Sequence, residues 1–336
     1  MFNKGLLKWI IKAIIACTIA FAMVSGGCLL YYNLPVHYSN SSGATDYKWE
    51  VNKFYSKGTE GFALGKTNND GFNNIDDYNG QKIDILFMGS SHGEAFNVAQ
   101  DKNCVSLLND KFGGAMYTYN IATSGHTICH VVSNINDAVK IYHPTKYLII
   151  ECQSLSAKKE NLVAAVDGSL PKLESESGGL IGLLQKVPFF RLVYFQLSNL
   201  NSEKGDDTNT SIQSDTPDIE YIKAVNDFVA KIKSDCEANN ITPIVVYHPH
   251  FSVDGDGKIT VQAKESYSDL FAEVCNEKGV AYVDMLSDFT NGYRKDKKLP
   301  YGFSNTAIGE GHMNEYGHSL LANRIYQTIE DMEAAK

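Results

Sequence analysis

The chain has 336 residues, 43% of them hydrophobic, and a formal net charge of -9. That is enough apolar side chain for a full core and excludes a disordered tail or a mini-protein. A phosphate-backbone partner needs clustered Lys and Arg, so the acidic balance argues against nucleic acid.

Lys4, Lys8 and Lys12 precede an uncharged run from Ala13 to Tyr32. About twenty apolar residues cross a bilayer as a helix, and lysines on the amino side hold the N-terminus in the cytoplasm. Residues 1–32 are predicted to be an uncleaved single-pass anchor in the cell membrane, with the rest of the chain extracytoplasmic. The alternatives are a cleaved signal peptide and a lipoprotein whose lipobox is Val24-Ser25-Gly26-Gly27-Cys28, although Ser25 stands where a large aliphatic residue is usual. Cys104, Cys129, Cys152, Cys236 and Cys275 form no CxxC or CxxH pair and read as buried thiols.

Residues 33–80 are rich in Asn, Gly, Asp, Lys and Tyr without sustained periodicity, the composition of an extracytoplasmic stalk, with Trp49, Phe54 and Phe62 available to pack it onto a folded body. From 81 to 336 the pattern is strand, then helix, repeated. Ile83–Met88, Met116–Ile121, Tyr147–Glu151, Ile241–Tyr247 and Val280–Met285 are apolar runs of strand length. His126–Tyr142 and Asp218–Ala238 carry apolar residues at helical spacing, the second behind the start signal Thr216-Pro217-Asp218. Alternation of this kind predicts a three-layer α/β sandwich with a parallel central sheet and a ligand site at the carboxyl ends of the strands. An insertion at about 155–216 breaks the rhythm. Its apolar part is read as packing on the sheet; a lid, a partner surface or a membrane-proximal element are the alternatives. Asp254-Gly255-Asp256-Gly257 reads as a turn, because later calcium ligands are missing.

Gly89-Ser90-Ser91-His92 follows the first strand without a break. The spacing of Gly89 and Gly93 fits no phosphate-binding motif, whereas a serine raised at a strand end is placed for nucleophilic chemistry once a base takes its proton. Gly309-Glu310-Gly311-His312-Met313-Asn314 precedes the last helix and offers His312 as that base. His318, inside the helix, reads as structural, and Glu94 as a partner of a helix N-terminus. His92, His126, His248 and His250 reach the same edge; with no Asp or Glu at a ligand spacing beside them, they imply sugar or acyl recognition, no metal and no cofactor.

In block order, residues 82–330 resemble the SGNH, or GDSL, hydrolase family. Gly89-Ser90-Ser91-His92 is similar to the first block, which implies Ser91 as nucleophile, with its N–H in the oxyanion hole, and puts Ser90 where an Asp is usual. Asn120-Ile121-Ala122-Thr123-Ser124-Gly125 is similar to the second block, whose glycine, here Gly125, gives an N–H to the oxyanion. His312-Met313-Asn314 with Gly317 is similar to the last block, where the histidine is the base. The resemblance implies the flavodoxin-like SGNH fold. Two departures stand out: the family Asp three residues before the histidine is Gly309, and the third-block Asn is missing after Ile149-Ile150-Glu151-Cys152-Gln153-Ser154. Glu310 is the candidate substitute for the acid; Gln153 or Ser154 are candidates for the lost donor. An uncompensated donor costs about 10²–10³ in turnover and the orienting acid about 10⁴.

An anchor, a stalk and an extracytoplasmic SGNH-like domain are together similar to the teichoic acid D-alanine transfer protein and to polysaccharide O-acetyltransferases. That likeness implies a serine esterase or O-acyltransferase acting on a cell-surface polysaccharide or teichoic-acid-like polymer, beside a membrane-bound acyltransferase. The competing reading is a non-catalytic carbohydrate-binding or assembly component that kept the fold.

Overall fold

The computed structural model describes residues 4–173, 184, 186–202, 217–253, 258–261 and 267–336. Helix α1 (Lys4–Tyr31) is followed by five short strands: β1 (Tyr32–Asn33), β2 (His37–Ser39), β3 (Tyr47–Trp49), β4 (Phe54–Lys57) and β5 (Ala63–Lys66). Strand β6 (Ile85–Met88) runs into the single-turn helix α2 (Ser91–Glu94), then come α3 (Cys104–Phe112), β7 (Thr118–Asn120), α4 (Ile128–Tyr142), β8 (Tyr147–Cys152) and α5 (Lys159–Asp167). The remainder is α6 (Pro188–Ser202), α7 (Ile219–Glu237), β9 (Thr242–Tyr247), the hairpin β10 (Phe251–Val253) and β11 (Ile259–Val261), α8 (Ser268–Lys278), β12 (Ala281–Asp284), α9 (Leu286–Asp296) and α10 (Glu315–Ala334).

The central sheet has the order β12-β9-β8-β6-β7, with every pairing parallel. Strands β6 and β8 are buried along their whole length, which is why they read as unbroken apolar runs rather than alternating ones. One face is covered by α4, α5, α7 and α8 through Val132, Ile135, Phe228 and Phe271; the other by α3, α9 and α10 through Leu108, Phe289, Leu321 and Ile325. This is the predicted three-layer α/β class. All five predicted strands occur with ends shifted by one or two residues: four are shorter, and β8 runs one residue further, to Cys152. Ile83 and Met116, for example, are buried but lie before the paired residues. Asp218 caps α7 as its start signal suggests, its carboxylate accepting from the Tyr221 N–H at 2.6 Å.

Residues 33–80 depart from a free stalk. Tyr47, Trp49 and Tyr55 form a small core with Phe96, and Phe72 enters the main core. Phe54 and Phe62, expected beside Trp49, instead face solvent at 76% and 63% exposure. The segment is also sewn to α1: the Ser56 hydroxyl donates to Leu29 O and the Gly58 N–H to Tyr31 O, both at 2.7 Å, and β1 pairs with β4.

Helix α1 is long and apolar enough over Gly5–Tyr31 to cross a membrane. In the insertion, α5 packs on the sheet side through Leu162 and Ala165, but the apolar run 187–195 is the part expected there. Helix α6 does not pack on the sheet. It lies along α1, with Phe189 and Phe190 against Phe21 and Phe195 against Tyr32, because its apolar residues find a long apolar helix before they find the sheet. Gly179–Leu183 and Asp254–Gly257 lie outside the described residues. The five domain cysteines are buried and none forms a disulfide; burial pushes the Cys129, Cys236 and Cys275 thiols up to about 12.

Candidate active site

Strand order reverses at β6: the chain moves from β6 to β7 on one side, then to β8 on the other. In flavodoxin-like sheets the crevice outside the carboxyl ends at this switch point is where ligands bind. Gly89, Ser90 and Ser91 lie at the end of β6, and Gln153 at the end of β8.

The turn that raises Ser91 is built around a buried acid. Glu151, the one charged residue in β8, accepts from the Ser90 N–H at 2.8 Å, the Gly93 N–H at 3.1 Å and the Ser90 hydroxyl at 3.0 Å. Its other side meets His248 Nε2, and His248 Nδ1 is 2.7 Å from the Tyr301 hydroxyl. Burial opposes charge on Glu151, but the charge and hydrogen bonds of His248 and the Ser90 donors hold its carboxyl below the ordinary value. Gly89 and Gly93 are glycines because a Cβ at either would run into the Glu151 carboxylate. Ser90, at the usual Asp position, works as the cap of α2 and as a Glu151 partner.

Ser91 Oγ lies 2.9 Å from His312 Nε2. On the far side of the ring, His312 Nδ1 donates to Glu60 Oε2 at 2.5 Å, and the His312 backbone N–H donates to Glu60 Oε1. The acid therefore comes from the segment expected to be a stalk. Burial pushes the Glu60 carboxyl up, but the His312 hydrogen bonds and charge, aided by Lys57, bring it below the ordinary range. Gly311 has φ of +100° and would put a Cβ into Glu60, so a glycine there lets the carboxylate reach the loop. Asn97 Nδ2 donates to Glu60 Oε2 at 2.8 Å, and Asn305 grips the turn through Gly58 O at 2.8 Å and the Gly61 N–H at 2.7 Å. Glu310, the acid expected from its nearness in sequence, points elsewhere: it is 56% exposed and 3.7 Å from His250.

Of the expected oxyanion donors, Ser91 N–H is the first amide of α2, with no partner inside the helix. Gly125, at φ +78°, is held near the nucleophile turn by the Thr123 N–H, which donates to Gly89 O at 3.0 Å. The 33–80 segment fixes this loop too. Tyr47 OH donates to Ser124 O at 2.6 Å, and Asn74 exchanges bonds of 2.9 Å with the Asn120 backbone in both directions. The Asn120 side chain donates to Gly93 O at 2.9 Å. Ser154 is exposed, its Oγ accepting from the Ser156 N–H at 3.1 Å, and the Gln153 side chain bonds His92 and Tyr301. Neither bonds Ser91, whose Oγ has His312 as its partner among the described residues.

His92, His126 and His248 are buried supports rather than an open lining, while His250 is half-buried and stacks on Tyr301. His92 Nδ1 accepts from the Met313 N–H at 3.0 Å, tying the His312 loop to the nucleophile turn. Burial, then the charges of His248, His312 and His318, push its pKa well down, so it is neutral. His126 is buried 3.4 Å from Asp46 and stacks on His130; His248 is enclosed behind Glu151. His318 is structural as expected, its Nδ1 accepting from the Cys104 N–H at 3.2 Å.

Glu94 is more than a partner of the helix terminus. It is buried, takes the Trp49 indole N–H at 2.5 Å and the Ser124 hydroxyl, and burial pushes its pKa up to about 7 despite both bonds. A raised folded-state value means that the folded protein binds this proton more tightly than the unfolded chain. The contribution is complete below about pH 4.5 and is lost as pH rises through about 7, a loss of roughly 3 kcal/mol. The buried neutral His92 and His318 act in the opposite direction, since they must charge when the chain unfolds at pH 5. The comparison with Glu94→Gln therefore isolates the acid: the change in urea midpoint from pH 5 to pH 8 is expected to be more positive in Glu94→Gln than in wild type, and equal changes in the two proteins would contradict it.

No protein-family model matches the chain, and no curated protein does. Among solved structures it is similar to the psychrotrophic esterase EstA from Pseudoalteromonas sp. (14% identity, TM-score 0.38, covering 74% of this chain and 98% of that one). It is also similar to the acetyl xylan esterase AlAXEase (12%, 0.41, 73% and 98%) and to a lipolytic G-D-S-L family protein from Veillonella parvula (10%, 0.38, 73% and 97%). Identities and TM-scores at this level assign no activity, so a functional reading has to stand on the geometry of the site.

Proposed function

We propose that the protein is a membrane-anchored, extracytoplasmic serine esterase or O-acyltransferase that handles ester-linked acyl groups on a cell-surface carbohydrate or envelope polymer. The observation that carries this reading is the relay Ser91–His312–Glu60, nucleophile to base to orienting carboxylate, at the sheet's switch point.

In the proposed cycle, His312 Nε2 takes the Ser91 proton as Oγ attacks the ester carbonyl. Glu60 holds Nδ1–H, which leaves Nε2 free to accept and stabilises the imidazolium. The oxyanion faces the Ser91 and Gly125 N–H groups. Collapse breaks the C–O bond, the leaving alkoxide takes the proton from Nε2, and the acyl group stays on Ser91. Water or a polymer hydroxyl, deprotonated by His312, then attacks and releases it. The non-catalytic reading drew its force from Gly309 and the missing third-block Asn; Glu60, arriving at the same histidine from another segment, answers the first of these.

A fluorophosphonate probe tests the reading. Covalent labelling of Ser91, abolished in Ser91→Ala and slowed in His312→Ala, is expected. An unlabelled Ser91 in folded protein would sink it.

A further inference from the structure

We propose that α6 is a second membrane-contact element, which lays its outer face on the bilayer beside α1. Its exposed apolar residues are Phe190, Val193, Tyr194 and Leu197, at 38%, 39%, 44% and 56% exposure. They fall at i, i+3, i+4 and i+7, one continuous stripe along the helix. The inner side of the helix is occupied by α1 and β1: Phe189 and Phe190 meet Phe21 at 6.0 and 6.2 Å between ring centroids, so that Phe190 stands at the edge of the stripe, and Phe195 meets Tyr32 at 4.6 Å. Val193, Tyr194 and Leu197 thus continue the apolar surface of α1, the one helix among the described residues long and apolar enough to cross a membrane.

Depth and charge agree on what covers it. Phe21 lies ten residues before Tyr31, or about 15 Å along the helix, so the start of α6 lies well below the outer end of a span through an apolar layer of about 30 Å. From Leu184 to Ser202 the chain has two basic residues, Lys186 and Arg191, and no acidic one, against a net charge of -9 for the whole. The Arg191 head is carried back toward the outer end of α1, donating to Asn33 Oδ1 at 2.8 Å and Leu34 O at 2.6 Å, as a cation does when its stem lies in apolar surroundings. An apolar stripe on a helix that carries no acidic side chain suits a lipid surface. Because β1 and β4 join the same end of α1 to the Glu60 turn, such a contact would seat the catalytic cleft at the membrane surface, within reach of membrane-borne acyl donors or acceptors.

The inference rests on α1 as a membrane span, and the experiment separates the two. The full chain is placed in phosphatidylglycerol–phosphatidylcholine nanodiscs with a benzophenone amino acid at Tyr194 or Leu197, at Ile19 on α1, or at Ile219, which is 86% exposed on α7. Crosslinking to alkyne-tagged phospholipid at Tyr194 and Leu197, comparable to Ile19 and several-fold above Ile219, is expected. Lipid adducts at Ile19 but none on α6, or crosslinks from α6 to a second protein copy, overturn the proposal and leave the anchor standing. No lipid adduct at Ile19 overturns both, while Ser91 labelling still reports the catalytic reading by itself.

Discussion

Glu60→Gln is expected to lower kcat about 10⁴-fold with little change in KM, because the amide no longer holds His312 in the tautomer that presents a free Nε2 to Ser91. The effect is on the transition state, since the Ser91 proton moves only during reaction and Glu60 meets the ring on the side away from Ser91. Glu310→Gln, which removes the acid nearer in sequence, is expected to leave kcat unchanged, as Glu310 faces His250. Gly311→Ala is expected to follow Glu60→Gln in direction, because a Cβ there collides with the Glu60 carboxylate. Steady-state hydrolysis of a short-chain aryl ester by the full chain in detergent distinguishes these cases. If Glu310→Gln proves the slow variant and Glu60→Gln the unaffected one, the assignment of the acid is wrong.

The second large effect is on stability. Glu151→Ala is expected to cost about 3–5 kcal/mol, the range for breaking a buried charged network by removing one partner. It strands the Ser90 and Gly93 N–H groups and leaves His248 without its acceptor, and Gly93 and His248 are buried away from water. Glu151→Gln keeps an oxygen for the two amides and is expected to cost less. Fluorophosphonate labelling of Ser91 should fall in Glu151→Ala even where the protein is still folded, since the same bonds shape the nucleophile turn. A urea midpoint equal to wild type in Glu151→Ala would refute the role.

The sheet was legible because its signal is local. Runs such as Ile85-Leu86-Phe87-Met88 and Ile244-Val245-Val246-Tyr247 are apolar without alternation, and in a sheet covered on both faces that is the pattern they must have. The Ser91 turn could be read from its abrupt change of composition, and His312 from its place before an apolar helix. Glu151 left a faint trace: a lone acid inside a strand buried from end to end. Glu60 left almost none. It sits in a polar, glycine-bracketed turn whose composition matches a surface linker, and its partner is 252 positions away. The histidines misled for a related reason. His248 does follow the end of β9 as read, but whether a ring faces a cleft or a buried carboxylate depends on neighbours from other segments, as with His248 on Glu151 and His126 on Asp46.

By itself, then, the sequence determined the class of fold, the apolar N-terminal helix and the two loops that carry Ser91 and His312, because hydrophobic periodicity and turn chemistry act over a few neighbouring residues. Only the tertiary structure decided which acid meets His312, which acid braces the Ser91 turn, and that residues 33–80 belong to the folded body. Those outcomes depend on side chains brought together by packing across the chain, and spacing along the chain carries no record of that meeting.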